Sequence, residues 1–499
     1  MKFDSILYAT QYYRSPTPLE DEWEKDLFLM SQYNLNTIQI RINWRTNERI
    51  KDQYNFDDID KLFDLAERYN KKVIVKFLLE CAPNYIFNEY EGTRIGPKGE
   101  IIRAGYHGAF YGGWEPCFSN PKIRERASLF VKKVVERYKD RKSLIMFNAW
   151  NEIRNRPIED CFCKFCKKNF QEYLKNKYKT IESYNKFYGC SEESFDTLDL
   201  PSMSHGYFDI LEFKRFKGSE DAKNKVQFVI DAIRSLDLIH PIASHVGYCG
   251  AFQNHLGDVI DDLAISNIVD IFGTSIPCDT TMDTLTKRLE FNLLNDYMRG
   301  INKDYFIYEV YPGLGMFKYS YDTPFDMEYK LYTSLASGVK GLCFWQYRSE
   351  RVAHECDCAG LMHMDGSPRP VINSVKEVGD FINQYGKLLA NSYEKQAEIA
   401  IITDFDNMLL SEIEDSSGVD YTFDLYGPVF AYNKSLKGFY RLIKTNNMDV
   451  DFIDSRNIKN IFNYKIIYLP YFMKLDDEIK ILAGKQEYEK AAKIMNWAG

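Results

Sequence analysis

The chain has 499 residues, of which 45% are hydrophobic, so it can bury at least one large core and is longer than a single ordinary domain. A formal net charge of −8, without a basic segment interleaved with aromatics, argues against a nucleic-acid-binding protein. Asp4 lies within the segment that would have to be the apolar region of an export signal. No segment of the sequence approaches the ~20 consecutive apolar residues of a membrane span. We therefore expect a cytoplasmic protein with no membrane partner.

Eight short runs rich in β-branched residues alternate with amphipathic segments in the first three quarters of the chain. The amphipathic segments, such as residues 56–72 and 120–140, repeat apolar residues at intervals of three and four, which is typical of helices. Apolar strands that alternate with helices predict parallel βα units, and eight such units predict a (β/α)8 TIM barrel. The predicted strands are residues 6–10, 37–42, 72–77, 144–150, 241–247, 270–276, 305–311 and 341–347.

Two segments between the predicted strands are longer than ordinary barrel loops. They cover residues 78–120 and 151–205, after the third and fourth strands. Barrel enzymes build their active sites from the loops at the carboxyl ends of the strands, so we expect both insertions to contribute to a site.

The strand and helix alternation restarts near residue 395 and predicts a strand, a helix and two further strands. It stops early, and residues 475–499 form a polar, helix-prone tail, so a complete doubly wound sheet is not expected. We divide the chain into a catalytic barrel with loop insertions, residues 1–392, and a partial α/β domain of the flavodoxin or glutamine-amidotransferase type, residues 393–499.

Two glutamates lie at predicted strand ends. Glu152 follows Asn151 directly after the fourth strand, and Glu309 lies near the end of the seventh. Retaining glycoside hydrolysis needs one carboxylic acid to protonate the departing oxygen and one carboxylate to attack the anomeric carbon. The pair predicts Glu152 as acid/base and Glu309 as nucleophile. The alternative for either glutamate alone is a solvated rim charge or a salt-bridge partner.

Cysteines are concentrated in the same two insertions. Cys161, Cys163 and Cys166 have the short spacing with which a tight loop presents several thiolates to one tetrahedral zinc ion, and Cys117 supplies a fourth ligand from the neighbouring insertion. Four protein ligands leave no position for water, so this zinc would be structural, one per chain. The alternative is a reduced cluster without metal.

The N-E pair, the cysteine cluster and the stretch FQEYLKNKYKTIESYNKFYG at residues 170–189 together resemble glycoside hydrolase family 42, the β-galactosidase family. The resemblance covers roughly residues 5–390 and, more weakly, 396–475. It implies that Asn151 binds the sugar 2-hydroxyl, that Glu152 and Glu309 have the catalytic roles given above, and that Glu355 binds sugar hydroxyls. It also implies the same four cysteines as a zinc site and a homotrimer, although the short second domain argues against that assembly.

Several sugar-contacting positions of the family differ in this chain. Phe317 stands where the family has a substrate-binding tryptophan, Cys358 replaces a histidine, Gly113 replaces an arginine, and Ile276 replaces a tyrosine. Polar or aromatic groups near the barrel mouth are candidates to take over these contacts: Arg41, Asn43, Trp44, His245, Asp279 and His354.

The expected function is therefore a retaining glycosidase that removes terminal β-D-galactosyl or related pyranosyl residues from small glycosides or oligosaccharides, without an organic cofactor. Residues that act on the anomeric centre are kept, while those that distinguish one sugar from another have changed. Two alternatives stay open. One is a relative with another specificity, such as an α-L-arabinopyranosidase or a β-glucosidase-like enzyme, and the other is a truncated, non-catalytic carbohydrate-binding protein.

Overall fold

A computed structural model describes the main part of the chain, namely residues 4–102, 114–153, 160–201, 207–250, 260–276, 282–313, 321–351, 355–415 and 431–474. Eight parallel strands in it close into a barrel in which neighbours in the chain are also neighbours in the sheet. The predicted (β/α)8 barrel is confirmed. In chain order the barrel strands are Leu7–Arg14, Thr37–Asn43, Lys72–Leu78, Leu144–Asn148, Ile242–Val246, Ile271–Ser275, Phe306–Val310 and Gly341–Phe344.

Helices surround this barrel and cover the outer face of its strands, which explains why the strands are apolar on both faces. The longest helix of the described parts, Ile372–Ala390, follows the eighth strand. The other helices before it are Trp23–Gln32, Trp44–Asn47, Asp57–Arg68, Asn84–Glu89, Pro121–Tyr138, Lys164–Tyr178, Ile181–Tyr188, Tyr207–Arg215, Ala222–Arg234, Asp262–Ser266, Leu285–Ile301 and Pro324–Ala336, with a π-helical turn at Phe216–Asp221 and 3-10 turns at Glu20–Glu22 and Phe195–Thr197.

Side chains fill the lower half of the barrel interior. A separate apolar cluster there includes Leu7, Met146 and the aromatic pair Phe306 and Tyr308. Gly273 of the sixth strand makes room for this pair, because a Cβ at that position would lie 2.4 Å from the Phe306 carbonyl oxygen and 2.5 Å from the Tyr308 ring. The lower half of the barrel interior is thus a packed apolar core, and we expect a functional site at the carboxyl ends of the strands.

The long insertions form a satellite core of their own. A two-stranded antiparallel hairpin, Arg94–Ile95 with Ile101–Ile102, belongs to the first insertion, and the helices Lys164–Tyr178 and Ile181–Tyr188 belong to the second. Their buried aromatics pack around the cysteine cluster, apart from the main core. The described parts of both insertions therefore pack around the thiols.

Beyond the barrel, three parallel strands form a small sheet in the order Val450–Asp454, Ile399–Thr403, Ile466–Tyr468. The helices Phe405–Asp415 and Ala431–Thr445 and the 3-10 segment Ser455–Asn463 accompany it. Each of the three predicted strands is present. The domain boundary at residues 392 and 393 stays a prediction, and the predicted tail at 475–499 lies outside the described residues.

Polar contacts join this sheet unit to the barrel side. Arg456 donates to both carboxylate oxygens of Asp261 at 2.7 Å, and the Tyr440 hydroxyl donates to Asp296 at 2.7 Å. Gly300 contacts Phe452 so closely that a Cβ would come within 2.5 Å of its carbonyl oxygen. None of the helices in the described ranges combines the length and apolar character that crossing a membrane requires.

Candidate active site

The two predicted catalytic glutamates meet at the carboxyl ends of the barrel strands. Glu309 is the fourth residue of the seventh strand, and Glu152 follows the end of the fourth strand. One carboxylate oxygen of each lies within 4.8 Å of the other, and the residues are only 2% and 6% exposed. Retaining glycosidases place their two carboxyl groups about 5–5.5 Å apart, whereas inverting enzymes need roughly 6.5–9.5 Å. The pair has the close spacing.

The backbone at Glu152 adopts an uncommon conformation that turns the chain away from the strand. Its φ is +40°, in the left-handed region that a residue with a side chain seldom occupies. Main-chain hydrogen bonds hold both sides of the turn, from Ala149 N to Ala243 O at 2.8 Å and from Ile153 N to His245 O at 3.0 Å. The fifth strand thereby fixes where Glu152 projects, as is common for strained residues at functional sites.

Glu309 is held from both of its carboxylate oxygens. Arg41 of the second strand donates to Oε1 at 2.5 Å, and the Tyr311 hydroxyl donates to Oε2 at 2.5 Å. Arg41 in turn lies over the ring of Trp345, with its guanidinium carbon 4.0 Å from the ring centroid. A cation and a phenol that donate to the same carboxylate stabilise its negative charge and fix its orientation.

Glu152 has a different environment. The Ser275 hydroxyl, at the end of the sixth strand, donates to Glu152 Oε1 at 2.8 Å. This donor is neutral, whereas Glu309 receives a hydrogen bond from a guanidinium. Different environments at two adjacent carboxyls are the means by which one remains a base or nucleophile and the other serves as an acid.

A buried lysine lies below the pair. Lys76 Nζ is 3.8 Å from Glu309 Oε1 and 3.5 Å from His245 Nε2. Burial, together with the nearby Arg41 guanidinium, lowers the pKa of Lys76 to about 7. Glu152, His245 and Glu309 are close enough to hold a metal ion, but the Lys76 amine already lies among them, so we assign no metal there.

A second arginine also lies over the Trp345 ring. Arg14, at the end of the first strand, donates to Glu355 at 2.6 Å and to Glu350 at 2.8 Å, and its guanidinium carbon is 4.6 Å from the Trp345 ring centroid. Glu355 is 7% exposed. Glu355 is thus bound by an arginine that lies over the same tryptophan ring as Arg41.

Asn151, directly before Glu152, is 2% exposed, and Ile276 and Cys358 are buried as well. The backbone N–H of Ile276 donates to the Glu309 carbonyl oxygen of the seventh strand at 3.0 Å. Among the predicted positions, Gly113, Asp279, Phe317 and His354 lie outside the described residues.

Two of the candidates for substituted sugar contacts, Trp44 and Asn43, have structural partners. Trp44 is fully buried, donates from Nε1 to Glu48 at 2.8 Å and stacks on Phe130. Asn43 accepts hydrogen bonds from the main-chain N–H groups of Arg45 and Thr46 and so caps a short helix. Trp44 therefore belongs to the core, and the Asn43 oxygen is already used.

The sequence alone did not point to Tyr311, Ser275 or Lys76. Tyr311 carried a usable signal, because a residue two positions after Glu309 continues the same face of the strand. Ser275 and Lys76 carry no sequence signal beyond their position in predicted strands. Their contacts with the glutamates depend on how distant strands are placed around the barrel.

The four predicted metal-binding cysteines converge. Their sulfur atoms lie within 4.8 Å of one another, with Cys117 Sγ 3.4 Å from Cys163 Sγ and 3.5 Å from Cys166 Sγ, and these last two 3.8 Å apart. A tetrahedral zinc ion with ~2.3 Å bonds to sulfur has sulfur atoms about 3.8 Å apart. The donor set and the spacing fit a closed tetrahedral thiolate site.

This site joins the two insertions. Cys163 is the N-terminal cap of the helix Lys164–Tyr178, which also carries Cys166, while Cys117 precedes the helix Pro121–Tyr138. The Ile95 N–H of the hairpin donates to Cys161 Sγ at 3.4 Å. A metal ion here would fix both insertions beside the barrel mouth.

Comparisons with known proteins indicate one family. The family model for glycoside hydrolase family 42, described as β-galactosidase, matches residues 12–385. The chain is 22% identical to β-galactosidase LacZ of Heyndrickxia coagulans over 90% of its own length and 65% of that protein, and 24% identical to β-galactosidase LacZ of Lactobacillus acidophilus over 95% and 70%. It thus spans about two thirds of the length of these relatives.

Solved structures show the same fold. The β-galactosidase from Bacillus circulans sp. alkalophilus superposes with a TM-score of 0.78 at 19% identity, covering 94% of this chain and 67% of that one. The β-galactosidase from the Antarctic haloarchaeon Halorubrum lacusprofundi gives 0.79 at 17% identity, covering 96% and 71%. Since the family model spans most of the chain, the protein belongs to glycoside hydrolase family 42, the β-galactosidase family.

Proposed function

We propose that the protein is a retaining glycoside hydrolase that removes terminal β-D-galactosyl or related pyranosyl residues from small glycosides by double displacement. The observation that carries this proposal is the close pair of buried carboxyls, Glu152 and Glu309, at the carboxyl ends of two barrel strands. Family membership supports the same reaction.

In the first step Glu309 attacks the anomeric carbon while Glu152 gives its proton to the glycosidic oxygen, so that the bond to the leaving group breaks and a glycosyl ester of Glu309 forms. Arg41 and Tyr311 orient the attacking carboxylate. In the second step Glu152, now ionised, takes a proton from water, and the water oxygen displaces Glu309 from the sugar. Both carboxyls return to their starting state.

Substrate contacts are proposed for three further residues. Asn151 is adjacent to the acid/base and buried, which suits a hydrogen bond to the 2-hydroxyl. Glu355, aligned by Arg14, would accept hydrogen bonds from sugar hydroxyls. Phe317 would supply an apolar ring surface in place of a tryptophan.

We also propose that Cys117, Cys161, Cys163 and Cys166 bind one structural zinc ion. The sulfur distances and the all-thiolate donor set support it. The ion would cross-link the two insertions and would take no part in the reaction with the sugar. Because thiolate ligands must stay reduced, a cytoplasmic location suits this site.

The second candidate is a glycosidase of different specificity. It is favoured by Ile276 and Cys358, two buried residues that stand where the family has a tyrosine and a histidine. The intact carboxyl pair disfavours a purely carbohydrate-binding protein.

The test is a panel of p-nitrophenyl glycosides with the β-D-galactoside, α-L-arabinopyranoside, β-D-fucoside and β-D-glucoside. The proposal expects fastest turnover of the galactoside or its close pyranosyl relatives, with loss of activity in Glu152→Ala and Glu309→Ala. Preferred turnover of the glucoside would move the assignment to the second candidate. Absence of turnover across the panel would support a carbohydrate-binding protein.

A further inference from the structure

A further carboxyl group is buried at the barrel mouth and has no role in the mechanism above. Glu80 lies two residues beyond the end of the third strand and is 6% exposed. Both of its carboxylate oxygens are shielded from solvent, and no other residue that the structure describes donates a hydrogen bond to them. Buried polar groups are nearly always hydrogen-bonded, because an unmet one costs free energy. Glu80 is therefore an exception that needs a partner.

The cationic side chains that approach Glu309 also act on Glu80. Burial raises the pKa of Glu80 to about 7 and Glu115 adds to the rise, whereas its own main-chain N–H, Arg41 and Lys76 act in the opposite direction. Arg41 and Lys76 are the same two cationic side chains that approach Glu309. Lys76 of the third strand points into the barrel, and the alternation of side chains along the strand, continued to Glu80 four residues later, places Glu80 on the same inner side.

Unused hydrogen-bond donors lie on the neighbouring strand. Arg41 Nη1 and Asn43 Nδ2, both buried, have no partner in the described part of the chain. The strand register pairs Asn43 with Leu78, two residues before Glu80. One wall of the mouth therefore combines hydrogen-bond donors and acceptors that have no partner among the described residues. Adjacent hydroxyl groups of a ligand would satisfy both kinds, because each hydroxyl can donate and accept a hydrogen bond.

We propose that Glu80 is a substrate-binding residue that accepts hydrogen bonds from hydroxyls of the terminal sugar, while Arg41 and Asn43 donate to the same sugar. This rests on the proposed glycosidase function and narrows it to a neutral, hydroxyl-rich pyranose. A uronic acid would be repelled, because Glu80 joins Glu152 and Glu309 in a site that is already rich in carboxylates. Glu80 then contributes contacts that the altered family positions no longer make.

A substrate-binding role for Glu80 predicts opposite effects of its replacement on sugar affinity and on the stability of the free protein. A buried carboxyl without a partner destabilises the free protein, as substrate-binding groups often do. Its folded pKa of about 7 lies above the ~4.3 of an unfolded glutamate, so the folded state holds an extra proton between these values and wild-type stability falls as pH rises from about 4 to 7. Glu80→Gln removes this penalty. We expect its melting temperature to exceed that of wild type above pH 7 and the difference to vanish near pH 4.

The experiment measures sugar affinity and melting temperature on the same proteins. Isothermal titration of D-galactose, L-arabinose, D-fucose and D-glucose into wild type identifies the sugar bound, and the same titration is repeated on Glu80→Gln and Glu80→Asp. We expect about a 10- to 100-fold loss of affinity for Glu80→Gln, the range for a hydrogen bond to a charged group, and partial recovery in Glu80→Asp.

Asp262→Asn is the matched control. Asp262 is also buried, its pKa is also raised to about 7 by burial, and one of its oxygens likewise has no partner in the described chain. Its other oxygen binds Gly250 N and the Tyr297 hydroxyl, away from the catalytic pair. Sugar affinity should be unchanged in this variant.

Unchanged affinity in Glu80→Gln, or a variant that is less stable than wild type above pH 7 or does not fold, would overturn the assignment and leave Glu80 a structural residue. These results are independent of turnover. A wild-type protein that binds a sugar but hydrolyses no glycoside would refute only the glycosidase function, and one that hydrolyses a glycoside but binds none of the four sugars would refute only the role of Glu80.

Discussion

Tyr311 donates a hydrogen bond of 2.5 Å to Glu309 Oε2, from a position only two residues further along the chain. Arg41 occupies the other oxygen at the same distance. The carboxylate is therefore fixed by one neighbour on its own segment and by one from a strand 268 residues away. In the proposed mechanism, both contacts orient Glu309 towards the sugar.

Loss of the Tyr311 hydroxyl should slow the reaction more than it weakens binding. A hydrogen bond to a charged group is worth about 1.5–3 kcal/mol, so we expect Tyr311→Phe to lower kcat by about 10- to 100-fold with a smaller change in KM. Tyr305→Phe is the control, because it removes another buried phenol, bonded to Asn295, at the opposite end of the strand. Equal kcat values for Tyr311→Phe and wild type would show that the phenol does not position the nucleophile.

Lys76 should make stability depend on pH in a defined direction. Its pKa is about 7 in the folded protein but ~10.4 when unfolded, so the unfolded state binds more protons between these values. Wild-type stability therefore rises with pH over this window, and the cost of burying the charge is complete below pH 7. Lys76→Met lacks this cost, so its melting temperature relative to wild type should be highest at pH 6 and fall towards pH 10. A difference that rises with pH, or stays constant, would contradict the assigned pKa.

The cysteine cluster should bind metal only when all four cysteines are present. We expect about one equivalent of zinc per purified chain, and Cys163→Ser should lose most of it and melt at a lower temperature, because a structural site contributes to folding. Cys190→Ser, which removes a half-buried thiol outside the cluster, should keep the metal. Metal analysis of the three proteins, combined with thermal melts, decides the matter. A stable protein without metal would exclude the zinc site.

Much of the fold could be predicted from the sequence because barrel strands that are covered on both faces are short apolar runs, and all eight were found within a few residues of their observed bounds. The position of Glu152 and Glu309 followed from the rule that barrel chemistry lies at the carboxyl ends of strands. Their approach to within 4.8 Å agrees with the retaining geometry that motivated the roles.

The contacts around these glutamates could not be predicted. Arg41 and Lys76 lie in the second and third strands, and nothing in their local sequence shows that they point towards Glu309 on the seventh. Trp44 was a candidate for a sugar contact because it follows a strand end, but its hydrogen bond to Glu48 turns it into the core. Strand ends can be found by pattern, whereas the rotation of side chains around a barrel depends on packing between distant segments.

The most direct test of the proposed mechanism is the anomeric configuration of the azide adducts that rescue the two catalytic variants. Azide replaces the missing carboxylate in Glu309→Ala and attacks the substrate itself, so the account predicts an α-glycosyl azide from a β-glycoside. In Glu152→Ala azide instead attacks the glycosyl ester of Glu309, and the predicted product is the β-glycosyl azide. Proton NMR distinguishes the two anomers. The opposite pair of configurations would exchange the roles of the two glutamates, and full azide-independent activity of Glu309→Ala would contradict its assignment as the nucleophile.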